Sequence, residues 1–425
     1  MEDSAWQSPL FYQVTEATRR FAAVATSTEE KERYGMTLLE QIKEEERKIH
    51  GELVELSQKI YEHPELGHQE FEACRLHTEL LKKHGFEVEV GSEGMKTAFH
   101  AVYKSSKPGP AIGYMAEYDA LPEIGHGCGH NLIGAVGSGA GIVLAKVIEE
   151  IGGSVEVFGT PAEETWGGKV VFADNGCVDH LCAAMMAHPN ASYHKSGEAL
   201  AIDALRFEFF GKPAHASSYP DEGINALEGA IQTFVNINGL RQHIKSDARI
   251  HGVISNGGTV ANVVPEYSCA DFYVRTSTKS YLDELVEKVK NCARAGALST
   301  GCELKISNYE ASYTHLITNQ TMSDLFTQNL LDAGVPEVHP PRTTKGSNDM
   351  ANISLRCPAI HPYFGISDQG LIPGHTREFA DLTVTEYAKE QIHYVVSAMA
   401  MTGAQILMDE DLRKKIREEF EAAER

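Results

Sequence analysis

Three stretches of this 425-residue chain bring acids, imidazoles and a thiol close together. EYDALPEIGHGCGHN carries Glu117, Asp119, His126, Cys128 and His130; GTPAEETWGG carries Glu163 and Glu164; MMAHPN carries His188. A fourth candidate, His375, lies in LIPGHTREFA. Any one of these says little. A Cys-x-His pair arises by chance, a His before Pro is more often a hydrogen-bonded structural residue, and adjacent glutamates are usually a solvated face. Together they supply the thiolate, imidazole and carboxylate donors that zinc and similar divalent ions accept. Two neighbouring glutamates allow one to bind metal while the other takes a proton from water, the division of labour that hydrolysis requires.

Each of the first three stretches follows a short apolar run, at residues 111–116, 155–159 and 182–187, and helix-like segments begin near Asn131 and Gly168. Apolar runs separated by helices predict an α/β domain with mostly parallel strands covered on both faces. Ligands gather outside the carboxyl ends of such strands. His375 follows the last predicted strand, so it belongs at the same sheet edge. Asn131 reads as the N-cap of an apolar helix whose positive end faces that edge. Between about 204 and 310 the pattern becomes β-α-β-β-α-β, the ferredoxin-like arrangement of a four-stranded sheet with two helices on one face. It reads as an insertion. The resulting plan is peripheral N-terminal helices over 1–50, a catalytic domain over 51–203 and 313–425, and a lid or dimerisation domain over 204–312.

Composition narrows the class. With 42% hydrophobic and 23% charged residues the chain is globular, which excludes disordered, collagenous and small disulfide-stapled proteins. A formal charge of −22 repels phosphate backbones and anionic lipid, so neither nucleic acid nor membrane is an expected partner. Eight cysteines without a C-x-x-C pair suggest a reducing compartment. The start MEDSAWQSPLFYQ lacks a basic region followed by an apolar one. The apolar run 132–148, diluted by four glycines, falls short of the roughly twenty residues of a membrane span. A cytoplasmic protein is expected.

From about Glu52 onward, EYDALPEIGHGCGHNL, GTPAEE with GGK, MAHP, GKPAHASSYP with GINAL, NGG with NVVP, GSNDMANIS and IHPYFGI occur in order. In these blocks the chain resembles the dinuclear metallopeptidase and amidohydrolase family M20, which holds aminoacylase, carboxypeptidase G and the plant auxin-conjugate hydrolases. It looks most like the branch of the aminobenzoyl-glutamate hydrolases and the aminoacylase-like β-alanyl-lysine dipeptidase. The resemblance implies that Cys128, His130, Glu164, His188 and His375 bind two divalent ions, zinc first, with manganese or cobalt as alternatives. It makes Glu163 the general base and Asp119 the residue that orients a ligand. It offers His215 of PAHAS across a dimer interface to the partner's site, where it stabilises an oxyanion. Asn262 and Arg275 resemble a carboxylate-binding pair; Gly258 would permit close approach of the backbone, and Ser347 would touch substrate.

Two departures stand out. Much of the family has His-x-Asp where this chain has Glu117-Tyr118-Asp119, which leaves Glu117 without a role, and TTKGSNDMANIS places Lys345 and Asn348 where relatives tend to have Ser-Thr-Asp. His126 reads as a loop-stabilising residue. The implied function is metal-dependent hydrolysis of an amide in a small carboxylate-bearing substrate, such as a dipeptide, an N-acyl amino acid or an aryl-amide of an amino acid, by a homodimer joined through the inserted domain. The rivals are a carboxypeptidase acting on longer peptides and a non-catalytic metal-binding dimer, against which the intact Glu163 argues.

Overall fold

The computed structural model describes residues 36–343 and 346–423 of the chain. The N-terminal helices expected over 1–50 therefore lie, up to position 35, outside the described residues, as does Lys345. From Leu38 onward that segment is one continuous helix, α1 (Leu38–Glu62), opened by a reciprocal Thr37/Glu40 cap. It runs straight through position 50 and buries Ile42, Ile49, Leu53, Leu56 and Ile60. A boundary at position 50 thus falls inside a core helix.

The next elements are α2 (Phe71–Lys83), β1 (Glu87–Val90), β2 (Phe99–Lys104), β3 (Ala111–Ala116), α3 (His130–Ile151), β4 (Ser154–Gly159), α4 (Gly168–Asp174), β5 (Leu181–Met185) and β6 (His188–Asn190). After the lid come α7 (Gln320–Ala333), α8 (Met350–Ser354), β11 (Ala359–Ile360), β12 (Tyr363–Gly365), α9 (Arg377–Leu382), α10 (Glu386–Met408) and α11 (Glu410–Ala422). The large sheet has the order β1-β2-β4-β3-β5-β11. Strands β4, β3, β5 and β11 run parallel, and β2 and β1 add an antiparallel edge. The carboxyl ends of the parallel strands therefore share one side. Residues 359–366 hold two short strands: β11 pairs with β5 and β12 with β6.

Every residue of β3 is buried, as a strand covered on both faces must be. One core holds Leu53 of α1, Leu132 and Val136 of α3 and Val395 of α10; the other holds Phe158, Phe172 of α4 and Ile353 of α8. The glycines of α3 let it lie directly on the sheet, since a Cβ on Gly137 would come within 2.4 Å of the Met115 carbonyl oxygen. The helix is 22 residues, longer than the apolar run alone, and is long and apolar enough to cross a membrane; nearly all of it is buried in this core.

The start of α3 corrects the capping expectation. Gly129, at φ 77°, has no room for a Cβ because Pro189 Cγ would lie 2.5 Å away, and its left-handed turn puts His130 at the first helical position. Asn131 sits inside the first turn, and its Nδ2 donates to Ser57 Oγ (3.0 Å) and Thr383 Oγ1 (3.2 Å) rather than capping.

The lid comprises β7 (Ala201–Phe210), α5 (Ala226–Leu240), β8 (Arg249–Asn256), β9 (Tyr267–Thr276), α6 (Lys279–Thr300) and β10 (Glu303–Asn308), an antiparallel sheet of order β10-β7-β9-β8. Phe207, Phe209 and Phe272 pack with Ala230 and Ile237 of α5 and Leu285 and Val289 of α6. This is the β-α-β-β-α-β arrangement read from sequence. Strand β8 ends the sheet and leaves Val253 62% exposed on it.

Candidate metal centre

Asp119, in the loop after β3, ties three segments together. Its Oδ1 accepts from His130 Nδ1 (2.9 Å) at the start of α3, and its Oδ2 accepts from the Glu164 backbone N–H (3.1 Å) in the loop after β4. The Asp119 carbonyl oxygen also accepts from His130 Nδ1 (3.0 Å). Both partners are acceptors, so Nδ1 holds the proton and Nε2 presents a lone pair. His188, at the start of β6, is set the same way, its Nδ1 donating to the Pro189 carbonyl (2.8 Å). Although burial opposes it, His130 and the Glu164 N–H hold the Asp119 carboxyl below its ordinary range.

Three overlapping groups result, each with its candidate donor atoms within 4.8 Å of one another: Cys128 with His130 and His188; Cys128 with Glu164 and His375; His130 with Glu163 and Glu164. His130 Nε2 lies 3.9 Å from both Glu163 Oε2 and Glu164 Oε1, and His375 Nε2 lies 3.8 Å from Glu164 Oε1. His375 is exposed and takes a left-handed φ of 62°, held by its N–H bond to the Gly127 carbonyl (2.9 Å). The six residues expected to bind metal or act as base thus converge at one sheet edge.

The residues fit divalent metal ions. His130 Nε2, Glu164 Oε1 and Glu117 Oε2 are buried acceptors without a hydrogen-bond partner, an arrangement that is costly in a dry site unless a cation satisfies it. Burial, then the carboxylates of Glu164, Glu117 and Asp349, push the Glu163 carboxyl well above its ordinary range. Burial raises the Cys128 thiol too, while Asp119 and Glu117 drive His130 up against the opposing effect of its burial. Burial leads the first two shifts and neighbouring carboxylates the third, and a bound cation inverts this logic.

The lid residues lie elsewhere. His215 is exposed, and its Nδ1 accepts from the Ser218 backbone N–H (3.2 Å), which leaves Nε2–H as an outward donor. Its loop pairs with that of Asn262, whose carbonyl accepts from Ala216 N–H (3.0 Å); Gly258 turns nearby at φ 102°. Among the described residues no hydrogen bond or ion pair joins His215, Asn262 or Gly258 to the centre of the same chain. Arg275, half-buried at the end of β9, donates to Ser347 Oγ (3.0 Å), so two expected substrate contacts meet each other where lid and catalytic sheet join.

Several residues of the site carried no sequence signal. Glu70 accepts from the Ala162 N–H (2.8 Å) and holds that residue at φ 60°; Tyr313 donates to the Glu163 carbonyl (2.6 Å). Both pin the loop of the paired glutamates from segments distant in the chain. Lys169, of GGK, is completely buried between Glu117 and Asp349. A lysine opening a helix reads as solvated, and only its depth reveals otherwise. His126 is buried and bonds through Nε2 to the Ile60 carbonyl (3.0 Å), as a loop-stabilising residue does.

Comparison with known proteins bears on the family and the fold. Residues 201–300 match the family described as peptidase dimerisation domain. The chain is 35% identical over 386 residues to the Xaa-Arg dipeptidase of Mus musculus, covering 86% of this chain and 88% of that protein. It is 29% identical to a p-aminobenzoyl-glutamate hydrolase component of Escherichia coli strain K12, over 67% of this chain and 63% of that one. A Bacillus subtilis dinuclear metal-binding peptidase of the M20 family has the same fold, with a TM-score of 0.63, 22% identity, and coverage of 84% of this chain and 99% of that one. With its α/β body and inserted lid, its cluster of metal-type donors and a dipeptidase aligned over most of both lengths, the chain belongs to the M20 family of metallopeptidases and amidohydrolases, enzymes that hydrolyse amide bonds.

Proposed function

We propose that the protein hydrolyses the amide bond of a small carboxylate-bearing substrate, a dipeptide before an N-acyl amino acid or an aryl-amide, with Cys128, His130, Glu164, His188 and His375 holding two divalent ions and Glu163 as the base. The observation that carries this is the convergence of unpartnered buried donors, His130 Nε2 and Glu164 Oε1, with Glu163 beside them. Zinc suits the His, Glu and Cys set, and manganese or cobalt would fit it. Ions bound there supply Lewis acidity and acidify water. Glu163 takes a proton from the attacking water and returns it to the leaving amine. His215 of one chain donates Nε2–H to the oxyanion in its partner, which agrees with its exposure, its free Nε2–H and its place outside the donor groups of its own centre. Asn262 and Arg275, with Ser347 beside the guanidinium, receive the substrate carboxylate.

The match of residues 201–300 to a peptidase dimerisation domain supports a homodimer formed through the lid, and the open edge of β8 with exposed Val253 and Ile254 is the surface we assign to it. Eight unpaired cysteines suit a reducing, cytoplasmic setting. The likeness to a dipeptidase named for a C-terminal arginine favours dipeptides as the first substrates to try. Purified protein supplied with zinc, manganese or cobalt should hydrolyse dipeptides faster than matched tripeptides, N-acyl amino acids or aminobenzoyl-glutamate. Faster cleavage of tripeptides would instead make it a carboxypeptidase.

A further inference from the structure

We infer that Glu117 is a further donor facing the metal centre and that the buried Lys169 is the counter-charge that holds it there. The inference rests on the metal reading above. Lys169 has no solvent exposure; its Nζ donates to Glu117 Oε1 and to Asp349 Oδ1 (2.7 Å), and its backbone N–H donates to Asp349 Oδ2 (3.1 Å). A buried ammonium persists only when paired, and here two carboxylates share it, so the triad keeps a net negative charge.

The two carboxylates are used differently. Both oxygens of Asp349 are engaged by Lys169, whereas Glu117 is engaged through Oε1 alone. Its Oε2 is buried, has no hydrogen-bond partner, and lies 3.5 Å from His130 Nε2, which is equally buried and unpartnered. Because Nδ1 of His130 is committed to two acceptors on Asp119, it is Nε2 that faces the carboxylate oxygen, as a lone pair in the neutral ring. Two lone pairs so close in a dry site repel, so either a proton on Nε2 or a metal ion must lie between or beside them. With donors at about 2.0–2.2 Å from a tetrahedral ion, two ligands stand roughly 3.3–3.5 Å apart. The separation of Glu117 and His130 matches that edge, and it is shorter than the 3.9 Å from the same nitrogen to Glu163 or Glu164. Lys169 fixes the Glu117 rotamer through its other oxygen and offsets the charge of one added carboxylate in a cluster already rich in them.

The test reads metal binding rather than turnover. Apo protein, Glu117→Gln and Lys169→Met are titrated with Co(II), following bound ions per chain, affinity against a competing chelator and the visible absorption of the bound ion. The inference predicts at least about tenfold weaker binding of one ion and an altered absorption band in both variants, the order of effect that loss of a supporting contact produces. Wild-type affinity and an unchanged spectrum in Glu117→Gln would overturn it while leaving the metal reading intact. Failure of the unaltered protein to bind Co(II) or Zn(II) would remove both. A zinc-bound crystal structure of the unaltered chain gives a readout that does not depend on either variant folding: Glu117 Oε2 at about 2.0–2.2 Å from an ion supports the inference, and an Oε2 beyond coordination distance, donated to by His130 instead, contradicts it.

Discussion

Glu163→Gln is expected to lower kcat by about 10²–10⁴-fold, the usual contribution of a positioned general base, with bound metal and KM little changed. The substitution is nearly isosteric, and the loop it sits in is held by groups that do not touch the side chain: Glu70 on the Ala162 N–H, Asp119 on the Glu164 N–H and Tyr313 on the Glu163 carbonyl. Glu164 keeps its place beside His130 and His375. Loss of the proton acceptor is therefore separated from loss of the ions. Turnover by Glu163→Gln within a fewfold of the unaltered enzyme would remove Glu163 from the role of base, whereas loss of metal together with activity would make it a ligand.

The second large effect concerns His215. Removing an oxyanion donor typically costs about 10²–10³-fold in kcat, so His215→Ala alone should be nearly inactive. The more telling experiment combines lesions. If His215 serves the partner's centre, a dimer of one Glu163→Gln chain and one His215→Ala chain has one site carrying both lesions and one carrying neither. Such heterodimers, isolated through two different affinity tags, should recover about half of the unaltered turnover per dimer. If His215 acted within its own chain, each site of the heterodimer would keep one lesion, and no activity would return. The geometry favours recovery, because His215 is exposed, keeps its Nε2–H free, and makes no hydrogen bond or ion pair to its own centre among the described residues.

How much of this could be read from the chain depended on what the residues answer to locally. Cys128, His130, Glu164 and His188 were legible because each follows an apolar strand, and parallel strands bring their ends together whatever the loops do. The lid was legible from its alternating strands and helical periods. Asn131 misled because the residue before its helix is a glycine able to adopt φ 77°, so the cap fell two positions earlier and the asparagine went inward to Ser57 and Thr383. Lys169, Glu70 and Tyr313 were invisible for another reason. Each acts through a partner far away in sequence, Lys169 on Glu117, Glu70 on Ala162 and Tyr313 on Glu163, and a lone charge or phenol carries no periodicity that marks it as buried. The meeting of Arg275 with Ser347 likewise needed the two sheets to be placed against each other.

The central claim is that the cluster at the carboxyl edge of β3, β4 and β5 works only when divalent ions occupy it. The most direct measurement removes them with a chelator, verifies the metal content, and returns zinc, manganese or cobalt in steps while dipeptide hydrolysis is followed. The account predicts no turnover in the metal-free protein and a rise that saturates near two ions per chain. Full hydrolysis by verified metal-free protein would contradict it.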